Sequence, residues 1–318
     1  MIIRHRRFLQ SWLIICVSSF LLIACEAPPN STAATEGKRS NSPIEVVDYT
    51  GQTIYLQQPA RRIVALAPHI VENVFSAGAG EFLVGVVGYS DYPPAARSLP
   101  IVGGYTIPNY EKILELKPDL IIAWQSGNSK TGVKRLRELG FTVYIDQSDA
   151  LADVAKSIKD IGVLTGRQQQ ADRVAANYLQ KISQLKKTYS TRENLSVFYQ
   201  LWNDPLQSIN GQHTISDAIR LCGGNNIFAD QTVIAPIINF ESVLDRNPEV
   251  IIASGASGER PPWLNDWAQW PSVTAVKNNN LFFINPDHIH RQTIRLVLGI
   301  QSICDHLQNA RQRLNKTP

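Results

Sequence analysis

One stretch of this chain occurs twice, and that repetition constrains the fold more than any other feature. Residues 109–123 read Asn-Tyr-Glu-Lys-Ile-Leu-Glu-Leu-Lys-Pro-Asp-Leu-Ile-Ile-Ala, and residues 239–253 read Asn-Phe-Glu-Ser-Val-Leu-Asp-Arg-Asn-Pro-Glu-Val-Ile-Ile-Ala. Seven of the fifteen positions are identical without a gap. Each copy predicts a short helix capped by asparagine, ended ahead of a proline, and then a buried strand. Upstream, residues 71–80 and 215–224 both predict helices that stop at glycines. Further strand patterns at 61–66 and 143–145, a turn at Pro68, and helical patterns at 71–77 and 132–139 give the alternation of a parallel sheet. The chain therefore predicts two alike α/β lobes.

Between residues 148 and 189 there is no strand signal. Leu151, Val154, Ile158 and Ile161 repeat at helical spacing, with Ser148 as the expected cap, and a second helix is predicted over 167–187. At 1.5 Å per residue that second helix would be roughly 30 Å long. Strand signals resume at 195–199. The expected fold class is thus α/β, two Rossmann-like lobes joined by a single long backbone helix. Its boundaries are an N-terminal lobe at 44–147, a linking helical segment at 148–190 and a C-terminal lobe at 191–318. A cleft between lobes is the default ligand site.

The first 24 residues carry Arg4, Arg6 and Arg7 followed by an apolar run, the layout of a secretory signal. The run ends in Leu22-Ile23-Ala24-Cys25, which resembles a bacterial lipobox and makes Cys25 a lipid-attachment site; an ordinary signal with an incidental cysteine is the alternative. Residues 25–43, rich in Pro, Ser, Thr, Ala and Asn, read as a flexible tether. The expected location is exported and lipid-anchored, on the periplasmic side of a bacterial membrane or on the surface of a single-membrane cell. The formal charge of +4 falls to 28 bases against 27 acids without the signal, so a nucleic-acid partner is not expected. Cys16 lies in the signal, which leaves Cys222 and Cys304 to form one disulfide or to stay as two buried thiols.

Chemistry-bearing motifs are missing. Gly78-Ala79-Gly80 ends a helix instead of opening one, so its amides point the wrong way to cradle a phosphate. There is no Walker motif, no Gly-x-Ser-x-Gly elbow and no His-Glu-x-x-His. His288 and His290 alternate and in an extended segment would share a face, but no third ligand stands at metal-site spacing. No catalytic residue, metal or cofactor is expected, and the chain does not read as an enzyme.

Residues 62–307 resemble the periplasmic cobalamin-binding proteins of bacterial ABC importers, within the iron-siderophore/cobalamin binding-protein superfamily. The resemblance rests on Gly88-Tyr89-Ser90-Asp91-Tyr92-Pro93-Pro94, on residues 116–124 and on Cys222-Gly223-Gly224-Asn225-Asn226-Ile227-Phe228. It implies the class III periplasmic binding protein fold, a Cys222–Cys304 disulfide, and a corrinoid carried as cargo. It also implies ligand contacts from Tyr89 and from the Asp287-x-x-x-Arg291 loop, with His288 where the family has an aromatic and Ala235 where it has tryptophan. Tyr105, Trp124 and Trp202 follow strand signals and are candidate aromatic walls for a broad, flat ring with a rim of amides. Glu111 and Glu241, equivalent in the repeat, match carboxylates that pair with arginines of a dimeric permease, which suits a monomer docking on a two-fold partner. A ferric siderophore or haem in the same fold is the rival cargo, and a surface enzyme or adhesin a more distant one. The stiff connecting helix predicts a small closure motion.

Overall fold

The computed structural model describes residues 43–255 and 258–315; the signal, Cys25 and nearly all of the tether lie outside them. The chain opens with an antiparallel hairpin of β1 (Ile44–Val47) and β2 (Thr53–Leu56). The N-terminal lobe follows, with β3 (Ile63–Ala65), α1 (Pro68–Ser76), β4 (Leu83–Val86), α2 (Tyr110–Leu116), β5 (Leu120–Trp124), α3 (Lys130–Glu138) and β6 (Val143–Asp146). The link is α4 (Asp153–Thr165) and α5 (Gln168–Tyr189). The C-terminal lobe holds β7 (Leu195–Gln200), α6 (Thr214–Leu221), β8 (Gly224–Asn226), α7 (Phe240–Arg246), β9 (Val250–Ala253), α8 (Thr274–Lys277), β10 (Leu281–Phe283), α9 (Pro286–Ile289) and α10 (Leu296–Leu314).

The repeat extends to topology. One parallel sheet runs β4-β3-β5-β6 and the other β8-β7-β9-β10, so each lobe has its second strand outermost, then its first, third and fourth. The echoed segment is α2–β5 in one lobe and α7–β9 in the other. Asn109 and Asn239 each accept a hydrogen bond from the amide three residues on, and both helices end on a left-handed residue, Lys117 at φ 46° and Asn247 at φ 39°. The following prolines prevent either helix from continuing.

Two local expectations change. Pro68 is the first residue of α1, where its missing amide hydrogen costs nothing, and not a turn before it. Ser148 caps no helix: α4 starts at Asp153, whose carboxylate turns back to accept from the amides of Asp149 and Ala150.

The 22 residues of α5 give a rod of about 33 Å. It buries Ala171, Ala175, Tyr178 and Leu185, and Gly162 of α4 admits Ala171 so closely that a Cβ there would lie 2.3 Å from the alanine methyl. One continuous apolar core runs from Ile63 and Leu120 of the first sheet, past α4 and α5, to Val197 and Ile252 of the second and Ile300 and Leu307 of α10. The lobes therefore share buried surface. Cys222, which ends α6, is bonded to Cys304 in the middle of α10, with both residues fully buried.

Candidate functional site

In open parallel sheets, ligands bind outside the carboxyl ends of the strands. Of the candidate ligand residues, Tyr89, Tyr105, Trp202 and Arg291 stand on loops, Trp124 ends β5, and Asp287 and His288 belong to α9. Tyr89 follows β4 at φ 65°, a left-handed backbone that a tyrosine rarely adopts, and its side chain is 84% exposed. Tyr105 and Ile107 lie on the next loop, turned by Gly103 at φ 101°, where a Cβ would come within 2.7 Å of the Ile107 carbonyl. Asn128 anchors that loop: its amide nitrogen donates to the carbonyls of Tyr105 and Leu66, and its amide oxygen accepts from the Trp124 backbone. Trp124 is half-buried, edge-on to His69 at 5.1 Å and tilted against Tyr105 at 6.1 Å, so it serves packing and cavity wall at once.

The opposite rim repeats part of this design. Trp202 follows β7, is 42% exposed, and donates from its indole nitrogen to the Asp204 carbonyl. Its loop is bridged through Gln207 to Ile237. Ile237 stands two residues ahead of Asn239 as Ile107 stands two ahead of Asn109, and both isoleucines are largely exposed, at 68% and 78%. Apolar side chains thus face solvent at equivalent places on both lobes.

A buried ionic cluster joins the lobes beside this opening. Glu72 of α1, 2% exposed, accepts from Arg291 at 3.0 Å and from two nitrogens of Arg295 at 2.9 and 2.6 Å. Arg291 also pairs with Asp91 at 2.8 Å and Asp287 at 3.2 Å and reaches the Tyr89 carbonyl at 3.4 Å. Burial works against the charge on Asp91, but its hydrogen bond with Arg291 and the Arg291 and Arg97 charges hold its carboxyl below the usual range. Burial likewise opposes the Arg291 charge, and its bonds to Asp91 and Glu72 outweigh it, raising that group. Arg295 also stacks over the Tyr92 ring at 4.0 Å. Asp287 and Arg291, expected from the resemblance as ligand contacts, are thus also paired with each other, at one edge of a larger network. Glu72 and Arg295 belong to no motif, and the one sequence signal for them is a carboxylate within so apolar a helix.

Two cavities open here. One of about 390 Å³ is lined by Leu201, Trp202, Gln207, Asp287, His290 and Arg291 among others. The second, about 110 Å³, lies between lobes, with Trp124, Gln147 and Ser148 on one side and Gln212, His213 and Ile234 on the other. His288 lines neither of these two. Asn285 caps the single turn of α9, where residues two apart point roughly 200° from each other, so His288 and His290 do not share a face. Among the described residues, no cluster of three or more His, Cys, Asp or Glu side chains is arranged to hold a metal ion.

Burial holds His213 down to about 4, and burial together with the His213 charge does the same for His290. Both are neutral in the folded state where the unfolded chain, at its ordinary value of about 6.5, takes up protons. Their contribution to stability is complete above pH 6.5 and is lost as the pH falls toward 4. Between pH 7 and pH 5 each should cost about 2 kcal/mol of unfolding free energy. His213→Asn, which keeps an acceptor for the Ile215 amide, should remove its share of that slope in urea melts at the two pH values; an unchanged slope contradicts the assignment.

Glu111 and Glu241 are both exposed in the first turns of α2 and α7, and neither carboxylate pairs with another described residue. They occupy equivalent positions in the two lobes.

The periplasmic binding protein family matches residues 63–288. A vitamin B12-binding protein of Vibrio cholerae is 37% identical over 259 residues, covering 80% of this chain and 92% of that protein. One from Pectobacterium atrosepticum is 34% identical over 252 residues, covering 78% and 88%. The crystal structure of the periplasmic vitamin B12 binding protein of Vibrio cholerae aligns with a TM-score of 0.74 at 36% identity, over 80% of this chain and 99% of that one. A periplasmic heme-binding protein from Roseiflexus shares the fold at 22% identity and a TM-score of 0.69, over 79% and 99%. A match over most of the chain's length, on the two-lobed architecture described above, means that this chain belongs to the periplasmic binding protein family and is a substrate-binding protein.

Proposed function

We propose that this chain captures a corrinoid between its lobes and delivers it unchanged to an ABC permease, held at the membrane by lipid on Cys25. The observation that carries the reading is the pair of exposed apolar rims, Tyr89, Tyr105 and Ile107 on one lobe and Trp202, Ile234 and Ile237 on the other, on loops that the backbone holds in place. A broad apolar ring wants such area, and its amide edge wants a few oriented polar groups. The ionic cluster argues against an anionic siderophore: the two cations, Arg291 and Arg295, are already met by Glu72, Asp91 and Asp287. Calorimetry on the purified protein should give one-to-one binding of cyanocobalamin or cobinamide and none of a ferric siderophore panel or haem. Siderophore binding without corrinoid binding would sink the reading.

Glu111 and Glu241 fit the docking role, since equivalent exposed carboxylates on two lobes suit a partner with two-fold symmetry. Charge reversal at both, Glu111→Lys with Glu241→Lys, should abolish uptake in cells and leave the calorimetric affinity within twofold. An equal fall in affinity would refute the docking assignment.

A further inference from the structure

The carboxyl ends of β7 and β9, the point where the strand order of the second sheet reverses, hold a polar triangle inside the cleft wall. The Tyr199 hydroxyl lies 2.9 Å from the Ser254 hydroxyl and 3.0 Å from His290 Nε2, and the Ser254 hydroxyl lies 2.9 Å from the same nitrogen. Tyr199 and Ser254 are fully buried. Among the described residues, neither hydroxyl oxygen has a side-chain or backbone partner outside the triangle.

This closed set can be solved by counting protons. Two hydroxyl hydrogens need acceptors, and a buried donor left without one is costly. If Nε2 carried a hydrogen it could accept nothing. The two hydroxyls would then have only each other, and one hydrogen would be stranded. If Nε2 is bare, Tyr199 donates to Ser254 and Ser254 donates to Nε2, and both hydrogens are placed. The imidazole proton must then sit on Nδ1. No described group pairs with Nδ1, and His290 lines the larger cavity beside Trp202, Asp287 and Arg291.

We infer that His290 is a specificity-determining residue of the cleft that donates its Nδ1 hydrogen to an acceptor oxygen on the ligand, with Tyr199 and Ser254 as positioning residues that hold the tautomer. On the corrinoid reading, on which the identity of the acceptor rests, that oxygen is a carbonyl of a peripheral amide. The same tautomer removes the Nδ1 lone pair, so His290 is a reader of the rim and not a ligand to cobalt. Burial and the nearby His213 keep the ring uncharged, which leaves a single directed donor in place of an ion.

Long-range proton–nitrogen correlation spectra of the ligand-free protein test the tautomer directly. The His290 proton should be on Nδ1. Tyr199→Phe alone and Ser254→Ala alone should both leave it there, because the remaining hydroxyl still reaches Nε2. The double variant should let it move to Nε2, a readout that loss of packing would not produce. In calorimetry with cyanocobalamin, His290→Leu should bind three- to tenfold more weakly, as one lost hydrogen bond implies, and His290→Asn, whose amide nitrogen falls near Nδ1, should recover most of that loss. A proton on Nε2 in the ligand-free protein, or unchanged affinity in His290→Leu, overturns the proposal. So does an absorption change of aquocobalamin on binding to the natural protein that is lost in His290→Asn, because it would mean metal ligation. If the natural protein binds no cyanocobalamin while the tautomer result holds, the corrinoid reading has failed and the donor assignment stands without its named acceptor.

Discussion

Serine in place of both Cys222 and Cys304 is expected to lower the free energy of unfolding by about 5 kcal/mol. The bond closes a loop with a sequence separation of 82 residues that takes in α7, β9 and β10. Loop-closure entropy for that length puts the stabilisation at ~4.5 kcal/mol, acting mainly on the unfolded chain. The folded lobe should survive the change. Both positions are fully buried, so two serine hydroxyls add a smaller penalty of their own, and α10 keeps a second attachment through Arg311, which donates to the carbonyls of Glu193, Cys222 and Gly223. Urea melts of the natural protein and the double variant check the figure, with an alanine–alanine variant to separate the buried hydroxyls from the missing crosslink. A loss under ~1 kcal/mol in both variants would mean that the unfolded chain is restrained by something else.

Glu72→Gln is expected to cost about 3 kcal/mol, although it changes one atom. Its carboxylate is buried against two guanidinium groups, and taking away one partner of a buried ion pair leaves a charge that neither water nor protein neutralises. Arg291 keeps Asp91 and Asp287. Among the described residues Arg295 keeps only the face of Tyr92 and so bears most of the loss. The double variant Glu72→Gln with Arg295→Met should therefore regain part of the stability, because an apolar side chain of similar length removes the stranded charge. By contrast Asp287→Asn, at the exposed edge of the same cluster, should cost less than ~1 kcal/mol. Equal effects at Glu72 and Asp287 would show that the cluster is solvated and not a buried joint.

The repeated segment made most of the frame readable: the asparagine caps, the stops before Pro118 and Pro248, and the strands that follow all stand where the pattern puts them. What escaped was decided by tertiary context. Gly224–Asn226 reads Gly-Asn-Asn, with no strand preference of its own, and becomes β8 only because β7 offers it a parallel edge. Ser148 matched a cap pattern, yet Asp153 captures the free amides nearer the helix. His288 and His290 looked equivalent because an extended segment was assumed; one helical turn at α9 separates them. The aromatic candidates were visible as residues after strands, whereas the Glu72–Arg295 pairing joins positions 223 residues apart and leaves no local trace.

The shared core along α5 has a consequence for how such a molecule can diversify. Halves fused through common buried side chains would expose apolar surface if they swung widely apart, so the change expected on entry or exit of a ligand is a local one, in the surface loops at 89–92, 103–108, 202–207 and 234–237. Rigidity and selectivity then reside in different parts of the chain. Drift in those few turns can re-tune the cargo while the scaffold beneath them, and its folding, stay as they were.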